Sequence, residues 1–148
     1  SITLKKTEMA KKESVSTRWL ENMTFESEIN GHKLIIDADP ASGGEDRGPR
    51  PKLLMLSALG GCTAMDVVAI LKKMRVDIKG WNVIVEGDLT EEYPKHFSKM
   101  HIIYEFKGKD LPVDKLQKAI DLSSEKYCGV SVVYRKSMEL TSEIRIQE

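Results

Sequence analysis

An excess of charge of either sign is missing from this chain. Its 23 Lys and Arg meet 23 Asp and Glu, for a formal net charge of zero. A balanced chain has no strong field to hold nucleic acid or an anionic membrane surface, so neither is expected as a partner; a local patch is still compatible with neutrality. Aromatic residues are scarce at 6%, and they form no cluster along the sequence on which bases would stack. Histidine is reduced to His32, His96 and His101. His96 and His101 share one predicted strand on opposite faces by parity, and a site built with Cys62 and Cys128 would have no standard ligand spacing, so no metal is expected. A long uncharged apolar run is also missing. The stretch 53–65 is too short to cross a bilayer, and Lys52, Asp66, Lys72 and Lys73 bracket or interrupt the apolar region. The first residues, Ser1-Ile2-Thr3-Leu4-Lys5-Lys6, show neither the apolar core nor the cleavage pattern of a secretory leader, which points to the cytoplasm. Cysteine is down to two, Cys62 and Cys128. In a reducing compartment such a pair is read as catalytic or redox-sensing rather than as a staple.

What is present suffices for a core: 148 residues, 41% of them hydrophobic and 31% charged. The expected organisation is a polar arm or edge strand over 1–14 and a single domain over 15–148. Strands are expected at Ser16–Leu20, Thr24–Ile29 and His32–Ala38, the last two joined by Asn30-Gly31, a strong two-residue hairpin signal. A Pro- and Gly-rich loop follows over 39–51. Leu53 to about Met74 reads as one helix, apolar on nearly every face through Leu71 and therefore expected to be buried on most sides. Gly60-Gly61 within it costs about 1 kcal/mol per residue against Ala and is expected to admit another backbone. Strands are predicted at Trp81–Thr90 and His96–Lys107. A second helix is expected to begin after Asp110, as its cap, and Pro112, and to run to about Lys126 or Tyr127, with Gly129 ending it. Val130–Tyr134 reads as a strand. The alternation of Met138, Leu140, Ser142, Ile144 and Ile146 predicts a half-buried antiparallel strand. The succession of elements is α+β.

Cys62 is the centre of any chemistry. A lone buried cysteine is more often a small hydrophobe of the core. Here Gly60-Gly61 thins the surface just before it, and the second cysteine stands at a helix end where a side chain emerges. A thiol attacks as thiolate, and from an ordinary pKa of about 8.5 it needs a neighbour to lower it. Lys126 is close in sequence to Cys128 and Lys52 stands at the start of the Cys62 helix, although each is more often a solvated surface lysine. A Cys-His hydrolase lacks an identifiable base. The loop Gly43-Gly44-Glu45-Asp46-Arg47-Gly48 lacks the Lys-Ser/Thr ending of a phosphate loop.

Two segments resemble one family. Gly48-Pro49-Arg50-Pro51-Lys52-Leu53-Leu54-Met55-Leu56-Ser57-Ala58-Leu59-Gly60-Gly61-Cys62-Thr63-Ala64-Met65-Asp66-Val67 is similar to the first-cysteine helix of the OsmC/Ohr superfamily. Asp121-Leu122-Ser123-Ser124-Glu125-Lys126-Tyr127-Cys128 is similar to its second-cysteine helix. The likeness runs from about Val15 to the end and is strongest with the YhfA-like bacterial branch. It implies an α+β, OsmC-like fold: antiparallel sheets wrapped around two central helices in an intertwined homodimer, with the active site between the chains. It implies a peroxidase acting on organic hydroperoxides or hydrogen peroxide, with Cys62 as peroxidatic thiol, Cys128 as resolving thiol, an external dithiol as reductant, and no metal or organic cofactor. Two family features do not carry over. The Glu upstream of the first cysteine is Lys52 here. The Arg of the first hairpin falls on Asn22, with Arg18 the nearest arginine. The alternative is a non-catalytic dimer of the same fold that binds or senses a small apolar or electrophilic ligand.

Overall fold

The computed structural model describes residues 11–148, in two compact units that meet at Pro51 and Lys52 in the chain. Most of the arm expected over 1–14 lies outside the described residues, and 11–15 carry no regular structure.

The first unit is a three-stranded antiparallel sheet of β1 (Ser16–Glu21), β2 (Thr24–Ile29) and β3 (His32–Ile36), in that order. Asn30 and Gly31 both take positive φ, 38° and 88°, as a tight hairpin between right-twisted strands requires. β3 stops at Ile36, two residues earlier than its apolar pattern suggests, because the side chain of Asp37 is committed to the following loop. Asp37 is buried and accepts from the Thr24 hydroxyl and from the backbone N–H groups of Ala38, Glu45 and Arg47. Its own N–H donates to the Pro49 carbonyl. Gly44 and Gly48 are glycine for a steric reason: a Cβ on either would strike the carbonyl of Ala38 or Ile35.

Burial pushes the Asp37 carboxyl up, but the four hydrogen bonds outweigh it and hold the group below its ordinary value. A depressed carboxylate stabilises the fold fully above the unfolded pKa, about 4, and loses that contribution as pH falls below it toward the folded pKa. Urea midpoints should therefore drop as pH falls below about 4. Asp37→Asn should remove that acid-limb slope and lower the midpoint at neutral pH. An unchanged slope in the variant would show that Asp37 does not organise this loop.

The second unit holds the apolar core. α1 (Leu54–Lys73) follows a short 3-10 turn at Pro51–Leu53. β4 (Gly80–Leu89) pairs antiparallel with β5 (Phe97–Lys107), and β5 pairs with β6 (Glu139–Gln147) in parallel. Between β5 and β6 the chain forms α2 (Val113–Leu122), a π-helical turn (Ser123–Tyr127) and α3 (Gly129–Arg135). Leu59, Val67 and Leu71 of α1 pack with Met100, Tyr104 and Phe106 of β5 and with Leu116, Ala119 and Ile120 of α2. Each such fully buried aliphatic or aromatic side chain contributes about 1.5–3 kcal/mol.

Several expectations are corrected here. The last strand is parallel, not antiparallel, because a helical crossover carries the chain back to the starting end of β5 before β6 begins. This makes the second sheet mixed. Val130–Tyr134 is helix, not strand. A short apolar run does not distinguish the two by periodicity, and here the Cys128 sulfur accepts the Ser131 N–H, which starts a helix. Gly129 accordingly opens α3 and terminates nothing. Asp110 does not cap α2: it sits at φ 55°, and the helix begins behind Pro112 without a side-chain cap. α1 buries one stripe within this chain, Leu59, Thr63, Val67 and Leu71, while Met65 and Val68 stay exposed. The helical run Pro51–Lys73 has 23 residues and holds an 18-residue window of mean hydropathy 1.9, so its length and composition alone would suit a bilayer. The uncharged stretch counted from the sequence is shorter because Asp66 interrupts it.

Candidate functional site

Cys62 stands in the third turn of α1, one residue before the buried Thr63 and beside the stripe that faces the core. Cys128 arrives from the other direction. After α2 the chain takes a π-helical turn, closed by the Cys128 N–H donating to the Ser123 carbonyl at 2.7 Å. The wider turn swings Cys128 out of the α2 line and leaves it in extended conformation, φ −80° and ψ 100°, as the N-cap of α3. The two sulfurs and a carboxylate oxygen of Asp66 all lie within 4.8 Å of one another. Both cysteines are free. Cys128 is fully buried and Cys62 partly so.

The first turn of α3 faces both sulfurs. The Ser131 N–H donates to Cys128 Sγ at 3.4 Å, and the Val130 N–H bears on Cys62. Ser131 Oγ donates to the Cys128 carbonyl at 2.9 Å. The Arg135 guanidinium holds the Ser124 carbonyl and hydroxyl at 2.9 and 2.8 Å, fastening the π-turn from outside. Tyr134 OH donates to the Met55 carbonyl at 3.0 Å, tying α3 to the first turn of α1. Behind the pair, Thr63 Oγ1 is 2.7 Å from Tyr104 OH and 2.8 Å from Ser123 Oγ, and Ser123 donates to Asp66 Oδ2 at 3.0 Å.

Burial pushes the Cys62 thiol above its ordinary value. Hydrogen bonding with Cys128 and the negative charge of Asp66 act the same way, against the one lowering contribution, from the Val130 N–H. Burial also raises Tyr104 and Tyr134, which stay protonated at neutral pH.

The residues expected to help the thiols stand elsewhere. Lys52 Nζ donates to the Lys95 carbonyl at 3.0 Å. Lys126 lies over the exposed Tyr127 ring, 5.3 Å from its centroid. In the first unit Asn22 donates to the Gly43 carbonyl, and Arg18 pairs with Glu26 at 3.2 Å. His96 bonds the Pro94 carbonyl, and His101 bridges Thr141 and Glu143. Among the described residues, no histidine joins the group of Cys62, Asp66 and Cys128. The Gly60-Gly61 pair does not admit a second backbone within this chain: a Cβ on Gly60 would meet only a Val85 methyl at 3.3 Å, and Gly61 faces open space. Both glycines line a groove of about 720 Å³ between α1 and β4.

Sequence reasoning missed Asp66, Ser123, Thr63 and Tyr104. Asp66 had one signal: it is an acid inside the most apolar helix, one turn after Cys62.

Residues 43–143 match the model of a family described as OsmC-like protein. The chain is 35% identical over 130 residues to Protein YhfA of Escherichia coli K12, a match covering 87% of this chain and 94% of that one. A hypothetical protein from Aquifex aeolicus VF5 superposes with a TM-score of 0.78 at 29% identity, over 93% of this chain and 99% of its own. An organic hydroperoxide resistance protein from Elizabethkingia anophelis, only 13% identical, has the same fold: its TM-score is 0.69, over 94% of this chain and 100% of its own.

Proposed function

Because the chain belongs to the OsmC-like protein family, we propose that it is a thiol-dependent peroxidase that reduces organic hydroperoxides or hydrogen peroxide through Cys62 and Cys128. One observation carries the reading: two free thiols, far apart in sequence, have their sulfurs within 4.8 Å. A disulfide needs about 2.05 Å, so the pair closes by a movement of less than about 3 Å. The name of the Elizabethkingia relative, organic hydroperoxide resistance protein, supports the substrate class.

In this mechanism the Cys62 sulfur attacks the terminal peroxide oxygen. An S–O bond forms as the O–O bond breaks, and the alkoxide leaves as alcohol after taking a proton. Cys128 then attacks the sulfenic sulfur and expels water. Two thiols become a disulfide while the peroxide gains two electrons. An external dithiol returns the pair to the reduced state by exchange. The residues around the sulfurs require no metal or organic cofactor for these steps. The reaction belongs in the cytoplasm, where such a pair is kept reduced.

The working form in this proposal is a homodimer. The first unit has no buried apolar side chain among its described residues and exposes Trp19, Leu20, Met23 and Ile29. A small sheet without an apolar core needs a partner surface. The open face of α1, with Met65 and Val68, is a second such surface.

The direct test treats the reduced protein with cumene hydroperoxide, quenches with an alkylating agent, and reads the peptides by mass spectrometry. A Cys62–Cys128 disulfide is expected at equimolar peroxide. Two alkylated thiols after excess peroxide would end the proposal. A second reading, a non-catalytic dimer that binds or senses a small apolar or electrophilic ligand, draws on the raised Cys62 thiol and on the engagement of Lys52 elsewhere. It predicts that second outcome.

A further inference from the structure

The thiol pair has a third neighbour that the reaction above leaves idle. Asp66 follows Cys62 by one helical turn, so the two side chains rise from the same face of α1. Its carboxylate lies within 4.8 Å of both sulfurs. It is also held in place. Ser123 Oγ donates to Asp66 Oδ2 at 3.0 Å, and the Ser123 carbonyl takes the Cys128 N–H at 2.7 Å. One fully buried serine thus fixes both the carboxylate and the turn that presents the second thiol.

We propose that Asp66 is the shared proton acceptor of the two thiols. The inference takes its reaction from the peroxidase reading. As Cys62 Sγ attacks the terminal oxygen of ROOH, the thiol proton passes to the Asp66 carboxylate and then to the departing RO⁻, giving ROH and Cys62 sulfenic acid. As Cys128 Sγ attacks the sulfenic sulfur, its proton follows the same route to the departing hydroxide, giving water and the disulfide. Asp66 ends each step ionised, as it began.

The need for such a group follows from the surroundings of the pair. Burial and the neighbouring Asp66 charge keep Cys62 a thiol at neutral pH, so its proton must leave during attack. The titratable groups that bear on the pair are Asp66 on α1, Tyr104 on β5, Tyr134 on α3 and, through Tyr104, Asp121 on α2. β4 presents apolar Val83 and Val85 toward α1. Both tyrosines are protonated at neutral pH, which leaves Asp66 as the base in reach. Proton transfer over this separation needs a small approach or one bridging water.

The test measures two rates. Single-turnover disulfide formation is followed with cumene hydroperoxide and, separately, with diamide, which also oxidises a dithiol and takes up its two protons. Alkylation of Cys62 by iodoacetamide is followed against pH in a Cys128→Ser background. Asp66→Asn keeps an oxygen to accept from Ser123 but is no longer a base. It is expected to slow disulfide formation about 10²-fold with either oxidant. The same change removes a negative charge beside Cys62, so its alkylation profile should move to lower pH and alkylation at neutral pH should accelerate. Asp66→Glu should recover part of the oxidation rate. Opposite movement of the two rates is not what a loosened fold produces. An unchanged disulfide rate in Asp66→Asn, or oxidation and alkylation moving in the same direction, would overturn the proposal. If the wild-type protein forms the disulfide with diamide and not with peroxide, the peroxidase reading fails, and the diamide arm still decides the role of Asp66.

Discussion

Cys62→Ser is expected to abolish peroxide consumption, whereas Cys128→Ser should allow one oxidation per chain and then stall. The asymmetry follows from the two roles. Attack needs one sulfur; turnover needs a second to trap the sulfenic acid before further oxidation. Without Cys128, excess peroxide should carry Cys62 on to sulfinic acid, a gain of two oxygen atoms visible by mass spectrometry. Cys62 is assigned the attack because it is partly exposed, while Cys128 has 0% of its surface accessible. A bulky hydroperoxide reaches the first and not the second. Among the described residues, no lysine or arginine is a leading influence on the Cys62 thiol, so a slower enzyme is expected than one with a cation at the sulfur. Consumption by peroxide-sensitive dye, with thiol titration before and after, reads both variants. Wild-type turnover in both would remove the peroxidase reading. A stalled Cys62→Ser and an inert Cys128→Ser would exchange the roles.

The elements that local chemistry specifies were legible. Asn30-Gly31 marked the hairpin between β2 and β3, and β2 runs over Thr24–Ile29, the range read from the sequence. α1 was visible because one apolar run follows Pro51 and ends in Lys72 and Lys73, which suit the negative end of the helix dipole. What local chemistry does not specify was lost. The direction of β6 depends on where the crossover leaves the chain, and alternation is the same for either direction. The segment after Cys128 was read as strand because Val130, Val132 and Val133 favour strands in isolation. Tertiary contacts reverse that preference: Val130 and Tyr134 pack inward at helical spacing, and Ser131 closes back on Cys128.

The site divides in the same way. The cysteines were legible because each sits in a distinctive segment, and two such segments in one chain resemble a known arrangement. The groups that hold them were not. Ser123 and Thr63 read as ordinary polar interruptions of apolar helices, and Tyr104 as one aromatic of a buried strand. Only the fold brings them into one hydrogen-bonded row ending at Asp66. The cations suggested by sequence proximity failed for a related reason. Lys126 belongs to the π-helical turn and lies over the Tyr127 ring, while Cys128 leaves that turn in extended conformation, so closeness in the chain does not bring the two side chains together.

In the proposed homodimer, a charge placed on the open face of α1 should split the pair. Met65 is 75% exposed in the single chain and Val68 51%, on a helix whose composition is that of a core. With Gly60 and Gly61 they border the groove of about 720 Å³ beside β4, an apolar surface that one chain leaves uncovered. Obligate interfaces have this character. Val68→Asp puts an unpaired carboxylate into that contact, at about 3–5 kcal/mol, which weakens association by roughly 10²–10⁴-fold. The variant is expected to sediment as a monomer at micromolar concentration. The wild-type melting temperature should rise with protein concentration, as for any fold that requires its partner. Val68→Ala removes apolar area without adding charge and should remain dimeric with a modest loss of stability. A wild-type protein that sediments as a monomer and melts cooperatively at a concentration-independent temperature would refute the dimer, and the exposed face of α1 would then need another partner.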